Sequence, residues 1–361
     1  MEVYVSKYIL VINPGSTSTK ISIFDGEREL IKKTISHSLE ELAKFDSIIS
    51  QYEMRKKIIL KTLREADFNI MNLKAVVGRG GLLKSIPGGT YEVNQKMIED
   101  LKTGVQGEHA SNLGGILAFE IAKETHVKAF IVDPVVVDEL IPLARYSGHP
   151  DIKRRSIFHA LNQRFIARRV AEEKLKSRYE DVNIIVAHLG GGISIGMHSK
   201  GKVIDVNNAL NGDGPFAPER TGGLPAFDLV KYVMDNNMTL NQVKKMLAGR
   251  GGIVAYLKTN DMKEVEEMVN NGDTQAKEVI EAMAYQVSKE IGGLSATVKG
   301  KVDAIALSGG LAYFKDFISS IKERVSFIAP IYIYPGGDEM QALAQGAYRV
   351  IQGKEKAKHY E

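Results

Sequence analysis

Three turns rich in glycine carry groups that proteins use to bind phosphate. Residues 13–20 read NPGSTSTK, residues 188–192 read HLGGG and residues 308–310 read SGG, each next to an apolar stretch. Backbone N–H groups, hydroxyls and an ammonium suit a phosphate, and consecutive glycines let the backbone approach a ligand closely. Each turn alone is also compatible with a polar hairpin or a bulge, but three in one chain indicate a phosphate ligand. The candidate ligands are Asn13, Ser16, Thr17, Lys20, His188, Gly190, Gly191, Gly192, Ser308, Gly309 and Gly310.

Two arginines lie in loops whose glycines leave a guanidinium accessible. Arg79 lies in GRGG directly after an apolar stretch, and Arg220 lies in PERTGG. A guanidinium held in this way is suited to the oxygens of an anion. A single loop arginine is most often a solvated charge, but two in similar surroundings favour anion binding. Residues 212–217 match a dinucleotide fingerprint by letter only, because no strand precedes them and a proline lies inside the motif.

Asp133, His159 and Glu339 are further candidates. Asp133 lies in an apolar run, where a carboxylate needs a metal ion, a water or an arginine as its partner. His159 follows Phe158 in an apolar segment and is either a core side chain or a ligand. Glu339 precedes a predicted helix, where the helix dipole alone favours an acid. The eight histidines show no metal-ligand spacing, and no HExxH, GxSxG or EF-hand motif is present.

The composition excludes several classes of protein. The 361 residues correspond to about two domains, and a net charge of +4 argues against a nucleic-acid or membrane partner. The absence of cysteine excludes disulfides, thiolate nucleophiles and iron–sulfur clusters. No apolar run reaches the roughly 18 residues of a membrane helix, and the first residues lack the pattern of a signal peptide, so we expect a cytoplasmic protein.

The elements that must position these residues follow an alternating pattern of strands and helices, which predicts an α/β protein. A three-stranded meander opens the chain, and its pattern returns 175 residues later, when Asn13 is set over His188. This offset indicates an internal duplication. We place the domain boundary near residue 155. The predicted strands cover 8–12, 19–24, 75–77, 130–137, 183–187, 193–197, 202–206 and 304–307, and the predicted helices 112–125, 157–175, 276–298 and 340–351.

Four sequence blocks resemble the signatures of the family of acetate and butyrate kinases. They are NPGSTSTKISIF at 13–24, SIFHALN at 156–162, HLGGGISI at 188–195 and DGPFAPERTGGLP at 213–225. They occur in the family's order and cover nearly the whole chain. The resemblance implies two duplicated ribonuclease-H-like domains with a central interdomain cleft, the actin-like ATPase fold. It implies an acyl- and phosphate-side domain over 1–155 and 338–361, and an ATP-binding domain over 156–337.

The resemblance also implies roles for individual residues. Arg79 and Arg220 match the two catalytic arginines, and His159 matches the histidine at the transferring phosphoryl group. The implied residues on the metal side are Asn13, Asp133 and Glu339. Residues 188–192 and 308–310 match the loops for ATP phosphate and adenosine, and Asp261 lies near an aspartate on the adenosine side. ATP or ADP and Mg²⁺ are the implied cofactors, and a homodimer or higher homo-oligomer is the implied assembly.

This sequence departs from the acetate kinase pattern at the implied acyl pocket. Acetate kinases read RVVHGG around the first arginine, whereas Gly80 and Gly81 follow that arginine directly here. Pro218 lies only two residues before the second arginine, without the insertion of acetate kinases. These changes predict extra room and an acceptor larger than acetate. Phe158 and Pro218 are the candidate walls of the pocket, although both residues also suit plain core packing.

The resulting hypothesis is reversible phosphorylation of butyrate, or of a similar short-chain or branched fatty acid, to the acyl phosphate with ATP. A carboxylate is ionised at neutral pH, so the reaction needs no general base, and catalysis consists mainly of positioning and charge stabilisation. An acetate or propionate kinase of the same family is one alternative. A sugar or polyol kinase with Asp133 as base, and a non-catalytic ATP switch of the actin or chaperone type, are the others.

Overall fold

The computed structural model describes residues 7–361 and divides the chain into two compact units. The first unit ends at Val137 and resumes at Asp338, and the second extends from Asp138 to Gly337. The return of the chain to the first unit at residue 338 coincides with the predicted assignment. The other boundary lies before residue 138 rather than near residue 155.

The described residues form eleven strands and twelve α-helices, with short 3-10 and π turns between them. The strands are β1 (Tyr8–Pro14), β2 (Ser18–Asp25), β3 (Arg28–Ser36), β4 (Leu73–Arg79), β5 (Thr90–Glu92), β6 (Lys128–Val132), β7 (Asn183–Leu189), β8 (Ile193–Ser199), β9 (Lys202–Val206), β10 (Ala304–Gly309) and β11 (Ile331–Pro335). The helices are α1 (Leu39–Leu42), α2 (Tyr52–Glu65), α3 (Gln95–Thr103), α4 (Asn112–Thr125), α5 (Ala160–Arg169), α6 (Ala226–Asp235), α7 (Leu240–Leu247), α8 (Ile253–Leu257), α9 (Met262–Asn270), α10 (Thr274–Thr297), α11 (Lys315–Val325) and α12 (Glu339–Ile351).

The first unit is built on a mixed six-stranded sheet of order β3-β2-β1-β4-β6-β5. Strands β1, β2 and β3 form the predicted antiparallel meander, and β4 and β6 run parallel to β1. Helix α4 crosses β4 at very short range, since a Cβ on Gly78 would lie 2.0 Å from the carbonyl oxygen of Gly114. Both residues must therefore be glycine for the helix to pack on the strand that ends at Arg79.

The second unit contains a five-stranded sheet of order β11-β10-β7-β8-β9. Strands β7, β8 and β9 form a second antiparallel meander, and β10 and β11 run parallel to β7. Helices α5 and α10 pack against this sheet. The buried stripe of α10, which includes Met283, Val287 and Ile291, closes the apolar core of this unit.

The two sheets confirm the predicted duplication. Three antiparallel strands followed by two parallel ones give the same order, β3-β2-β1-β4-β6 in one unit and β9-β8-β7-β10-β11 in the other. Strands β1 and β7 begin at Tyr8 and Asn183, and β2 and β8 begin at Ser18 and Ile193, so both pairs keep the offset of 175 residues.

The domain boundary predicted near residue 155 differs from the structure because the preceding segment belongs to the second sheet. Ile141 N donates to Ile204 O over 3.0 Å, and Arg154 Nη1 forms an ion pair with Asp205 Oδ1 at 2.8 Å. Both partners lie on β9. A proline-containing loop suggested a linker, but long-range hydrogen bonds fix this loop to the sheet.

Most of the predicted elements are present, and helix α4 has the predicted bounds. The strand predicted over 130–137 ends at Val132, because Asp133 adopts a positive φ of 38° and a proline follows. The helix predicted over 157–175 begins at Ala160 and passes into a π turn over Val170–Lys174. Within residues 7–361, none of the helices combines the length and apolar character needed to cross a lipid bilayer.

Candidate active site

The polar residues predicted for the first unit lie at the carboxyl ends of three neighbouring parallel strands. Arg79 pairs with Val132, the residue before Asp133, and Asn13 lies one residue beyond the last pair of β1 with β4. The carboxyl edge of parallel strands is where α/β sheets bind ligands. The topology therefore places Asn13, Arg79 and Asp133 at one functional edge.

Asn13, Arg79 and Glu339 form a hydrogen-bonded cluster. Asn13 Nδ2 donates to Glu339 Oε2 over 2.7 Å, and Arg79 Nη1 lies 3.3 Å from both Asn13 Oδ1 and Glu339 Oε2. The Arg79 and Glu339 side chains are 29% and 35% exposed, so both are oriented and accessible. The guanidinium of Arg79 thus lies next to side-chain oxygens of Asn13 and Glu339, which are suited to a hydrated metal ion.

The first glycine turn is bound on its buried side by Arg55 of α2, which is not among the residues predicted from the sequence. Its guanidinium, on a side chain only 1% exposed, donates to the carbonyl oxygens of Gly15, Ser16 and Ser18 at 2.8–3.2 Å. Arg55 Nη2 also donates to Gln51 Oε1 over 2.8 Å. Burial lowers the pKa of Arg55, although an arginine remains charged at neutral pH.

These bonds orient the peptide groups of the turn. The C=O and N–H of a trans peptide point in opposite directions, so each carbonyl directed at Arg55 turns the next N–H group away from it. The N–H groups of the exposed residues Ser16 and Thr17 are oriented in this way, as an anion site requires. A sequence signal for Arg55 exists, because it shares the four-residue spacing of Ile59 and Leu63 on the buried face of α2.

Asp133 follows β6 in a left-handed conformation and is 3% exposed. Its Oδ1 accepts a hydrogen bond from Gly89 N over 2.6 Å, and its own N–H donates to Gly89 O over 3.0 Å. Asp133 therefore fixes the neighbouring loop as well as offering oxygen atoms at the strand edge.

Gly80 and Gly81 are required for close packing. A Cβ on Gly80 would lie 2.6 Å from Pro134 Cβ, and one on Gly81 would lie 2.5 Å from Asn112 Oδ1. The protein's own atoms thus fill the space where side chains would be. Their missing side chains accommodate a proline and a helix, and the extra room expected from the absent valines stays a prediction.

In the second unit, Asn162 joins two of the predicted turns. His188 and Ser308 pair directly across β7 and β10. Asn162 Oδ1 accepts from Ser308 Oγ over 2.7 Å and lies 2.8 Å from His188 Nδ1, which must carry the hydrogen of that bond. Asn162 is 4% exposed, and its Nδ2 has no hydrogen-bond partner among the described residues. A buried donor of this kind fits an oxygen of a bound phosphate.

His159 caps the beginning of α5 and stacks on His188. The two ring centroids are 4.0 Å apart with an interplanar angle of 21°, and His159 Nδ1 lies 2.8 Å from Ser194 Oγ. The structure therefore brings the predicted phosphoryl histidine to the predicted phosphate turn. Ser194 and Asn162 are not among the residues predicted from the sequence, although Asn162 is the last residue of the SIFHALN block.

Arg220 packs directly against the turn at 190–192. A Cβ on Gly192 would lie 1.9 Å from Arg220 Nη1, so any side chain at this position would displace the guanidinium. Arg220 Nη1 donates to Ala209 O, and Glu219 N donates to Gly191 O over 3.2 Å. Burial lowers the pKa of Arg220, and the neighbouring charge of Glu219 opposes this shift. The second predicted arginine and the triple-glycine turn thus form one structural element.

The remaining predicted residues differ in how closely other residues pack around them. Gly309 has a φ of 93° and packs against Leu189 O, whereas a Cβ on Gly310 would meet no atom within 4 Å. Asp261 accepts from Lys263 N over 2.9 Å and thereby caps α9. The two candidate walls of the acyl pocket, Phe158 and Pro218, are both buried, and Lys20 is exposed.

The oxygen atoms of the first unit fit a hydrated metal ion better than a metal bound by protein ligands alone. Among residues 7–361, no three His, Asp or Glu side chains group as a metal site. Mg²⁺ commonly keeps several waters and uses one or two carboxylates. Asp133, Glu339 and Asn13 would hold such an ion largely through water.

Comparisons with known proteins give the family of this chain. A family model described as the acetokinase family matches residues 141–325. Butyrate kinase 1 of Clostridium acetobutylicum is 56% identical over 352 residues, which cover 98% of this chain and 99% of that protein. The chain belongs to the acetokinase family.

Solved structures confirm the predicted fold of this acetokinase-family chain. The acetate kinase of Porphyromonas gingivalis superimposes with a TM-score of 0.79 at 18% identity, covering 96% of this chain and 100% of that chain. A propionate kinase of Francisella tularensis gives a TM-score of 0.71 at 19% identity, covering 94% and 98%. Both likenesses concern the fold alone and match the duplicated α/β architecture of the actin-like ATPases.

Proposed function

We propose that this acetokinase-family chain transfers the γ-phosphoryl group of ATP reversibly to butyrate, or to a similar short-chain or branched fatty acid. The choice of acceptor rests on a single observation, which is the 56% identity to butyrate kinase 1 over nearly the full length of both chains. A carboxylate oxygen attacks the γ-phosphorus, the bond from that phosphorus to the β–γ bridging oxygen breaks, and ADP leaves. No proton has to be transferred, because the acceptor is already ionised.

Charge stabilisation is assigned to three residues. Arg79 and Arg220 bind the substrate carboxylate and the equatorial oxygens of the transferring group, and His159 donates a hydrogen bond to that group. The orientation of Arg79 by Asn13 and Glu339, and the packing of Arg220 on Gly192, support these assignments. Donors fixed before the reaction stabilise developing charge without further reorganisation.

The phosphates of ATP are assigned to the glycine turns. The orientation of the first turn by Arg55 and the unpartnered Nδ2 of Asn162 support this assignment. The proposed ligands are Asn13, Ser16, Thr17, Lys20, His188, Gly190, Gly191, Gly192, Ser308, Gly309 and Gly310, with Asp261 on the adenosine side.

Mg²⁺ is the proposed metal, held by Asp133, Glu339 and Asn13 largely through water. When bound, Mg²⁺ neutralises negative charge on the β- and γ-phosphate oxygens. Family resemblance also supports a homodimer or a higher homo-oligomer, which analytical ultracentrifugation tests.

The acceptor class is tested by measuring ADP formation with carboxylates, with polyols and without an acceptor. The proposal predicts turnover that depends on the carboxylate and yields a hydroxylamine-reactive acyl phosphate. Turnover that depends on polyols would favour a sugar kinase with Asp133 as base. Turnover that is independent of any acceptor would favour an ATP switch.

Arg250→Ala, which changes an exposed arginine in the same unit as Arg220, is the matched control for Arg220→Ala.

A further inference from the structure

A chain of buried hydrogen bonds extends from His159 into the interior of the second unit. His159 Nδ1 lies 2.8 Å from Ser194 Oγ, and Gln163 Nε2 lies 2.8 Å from the same oxygen. Gln163 Oε1 lies 3.1 Å from His198 Nε2, and His198 Nδ1 lies 2.8 Å from the hydroxyl of Tyr179. Ser194, Gln163 and His198 are fully buried. Buried polar groups of this kind require complete pairing.

The fold builds this chain from one helix and one strand. His159 and Gln163 lie one turn apart at the start of α5, where Gln163 N donates to His159 O. Ser194 and His198 lie on the same face of β8, with Gly196 between them. A Cβ on Gly196 would lie 2.6 Å from Gln163 Oε1, so glycine here leaves room for the carboxamide.

The direction of the inner hydrogen bonds follows from the backbone. Gln163 Nε2 donates to the carbonyl oxygen of Ser194 over 2.9 Å, so Gln163 Oε1 must face His198 as an acceptor. His198 Nε2 therefore carries a hydrogen. Burial, together with the charges of Arg164 and Arg168, holds the pKa of His198 well below its ordinary value, and the ring is neutral. His198 Nδ1 then accepts from the Tyr179 hydroxyl.

The outer hydrogen bond is fixed by the hydroxyl of Ser194. Ser194 Oγ accepts from Gln163 Nε2, and it also lies 3.4 Å from the donating N–H group of His159. The hydroxyl hydrogen has one acceptor among the described residues, which is His159 Nδ1. The reverse direction would leave that buried hydrogen without an acceptor, which is costly.

We propose that Ser194, Gln163 and His198 are positioning residues that keep His159 in the neutral tautomer with its hydrogen on Nε2. The inference rests on the proposed function, in which this N–H donates to the transferring phosphoryl group. In the other tautomer, Nε2 would present a lone pair to the phosphoryl oxygens. The chain thus prepares His159 as a donor before the nucleotide binds.

The tautomer is measured directly by long-range ¹H–¹⁵N NMR of the full-length protein carrying ¹⁵N-labelled histidine at pH 8. The His159 signals are assigned by their loss in His159→Ala. The proposal predicts hydrogen on Nε2 and a bare Nδ1 in the wild-type protein. Hydrogen on Nδ1, or on both nitrogens, would overturn it. This measurement needs no activity, so it separates the proposal from the proposed function.

Variants of Ser194 and Gln163 test the two links of the chain. Ser194→Ala should increase the population with hydrogen on Nδ1, and Ser194→Thr, which keeps the hydroxyl, should restore the wild-type spectrum. Gln163→Met should increase the same population to a smaller extent, because it frees one lone pair of Ser194 Oγ to accept while the hydroxyl hydrogen keeps its one acceptor. A wild-type spectrum in Ser194→Ala would overturn the proposal, and one in Gln163→Met would overturn the part assigned to Gln163 and His198.

Kinetics distinguish positioning from a general structural role. Ser194→Ala should lower kcat for butyrate about tenfold and leave the KM for ATP within about threefold, since it weakens one hydrogen bond to developing charge. Ser194→Ala should cause no further loss in the His159→Ala background, because it acts through that ring. Additive losses in the double variant would overturn the proposal. If the wild-type protein showed the predicted tautomer but His159→Ala lost no kcat, the role proposed for His159 in catalysis would be contradicted instead.

Discussion

Replacement of Arg55 by methionine tests whether the first phosphate turn depends on a buried guanidinium. Methionine keeps an unbranched aliphatic stem like that of arginine, and the change removes all six hydrogen bonds that the guanidinium makes. Water can replace the guanidinium at the exposed residue Ser16. The carbonyl oxygen of Gly15 and the buried Oε1 of Gln51 lose their side-chain donors.

The expected cost follows from these two acceptors. A buried acceptor left unpaired costs about 1–3 kcal/mol, so the two acceptors together should lower the free energy of unfolding of Arg55→Met by roughly 2–6 kcal/mol. In a unit of this size, about 3 kcal/mol corresponds to a fall of about 6–12 °C in Tm. Loss of the turn's orientation should also raise the KM for ATP about tenfold, equivalent to ~1.4 kcal/mol, with little change in the KM for butyrate.

Thermal unfolding and steady-state kinetics measure both effects. Arg64→Met is the matched control, because it makes the same change at an exposed position of α2 and should stay within about 0.5 kcal/mol of the wild type. If Arg55→Met and Arg64→Met were equally stable and bound ATP equally well, Arg55 would not hold the turn.

Three further predictions concern charge. Arg79→Ala and Arg220→Ala should each lower kcat by ~10³-fold with much smaller changes in ATP binding, and near-normal turnover would remove that arginine from the mechanism. Asp133→Asn should keep the Tm within a few degrees and lose Mg²⁺-dependent activity; if it instead abolished an essential base seen in the wild-type pH–rate profile, the sugar-kinase role would be preferred. The pKa of His198 is lowered in the folded protein, so below about pH 6.5 the unfolded chain binds more protons at this residue than the folded chain does. Acidification through this range should therefore lower the free energy of unfolding of the wild type by up to about 1.4 kcal/mol per pH unit. His198→Gln should remove that contribution, and equal slopes in chemical denaturation at pH 7.5, 6.5 and 5.5 would contradict the assignment.

Local sequence patterns predict the α/β class and the internal duplication, and the family resemblance supplies the actin-like fold. The offset between Asn13 and His188 predicted the duplication, and the structure keeps it at the beginning of β1, β2, β7 and β8. Glycine turns and apolar strands are defined over a few residues, so a single sequence reveals them. Once the family resemblance has supplied the fold, its strand order brings Asn13 and Arg79 to one edge of the sheet, where both contact Glu339.

Contacts between distant residues could not be predicted in this way. Arg55, Asn162 and Ser194 act through hydrogen bonds to residues far away in the chain, and their own neighbours give only weak signals. The close packing of Gly80 and Gly81 is of the same kind. Pro134 and Asn112, 54 and 31 residues further along the chain, occupy the space that side chains at these two positions would need.

The preference for butyrate is measured by comparing kcat/KM for acetate, propionate, butyrate, isobutyrate and valerate. Acyl phosphate should be measured as the hydroxamate at saturating ATP and Mg²⁺. Two additional methylenes, each worth ~0.8 kcal/mol when buried, correspond to a preference of about 15-fold for butyrate over acetate. We expect a preference over acetate of at least about tenfold for butyrate or for a branched acid of four to five carbons. A value for acetate equal to or above that for butyrate would contradict it.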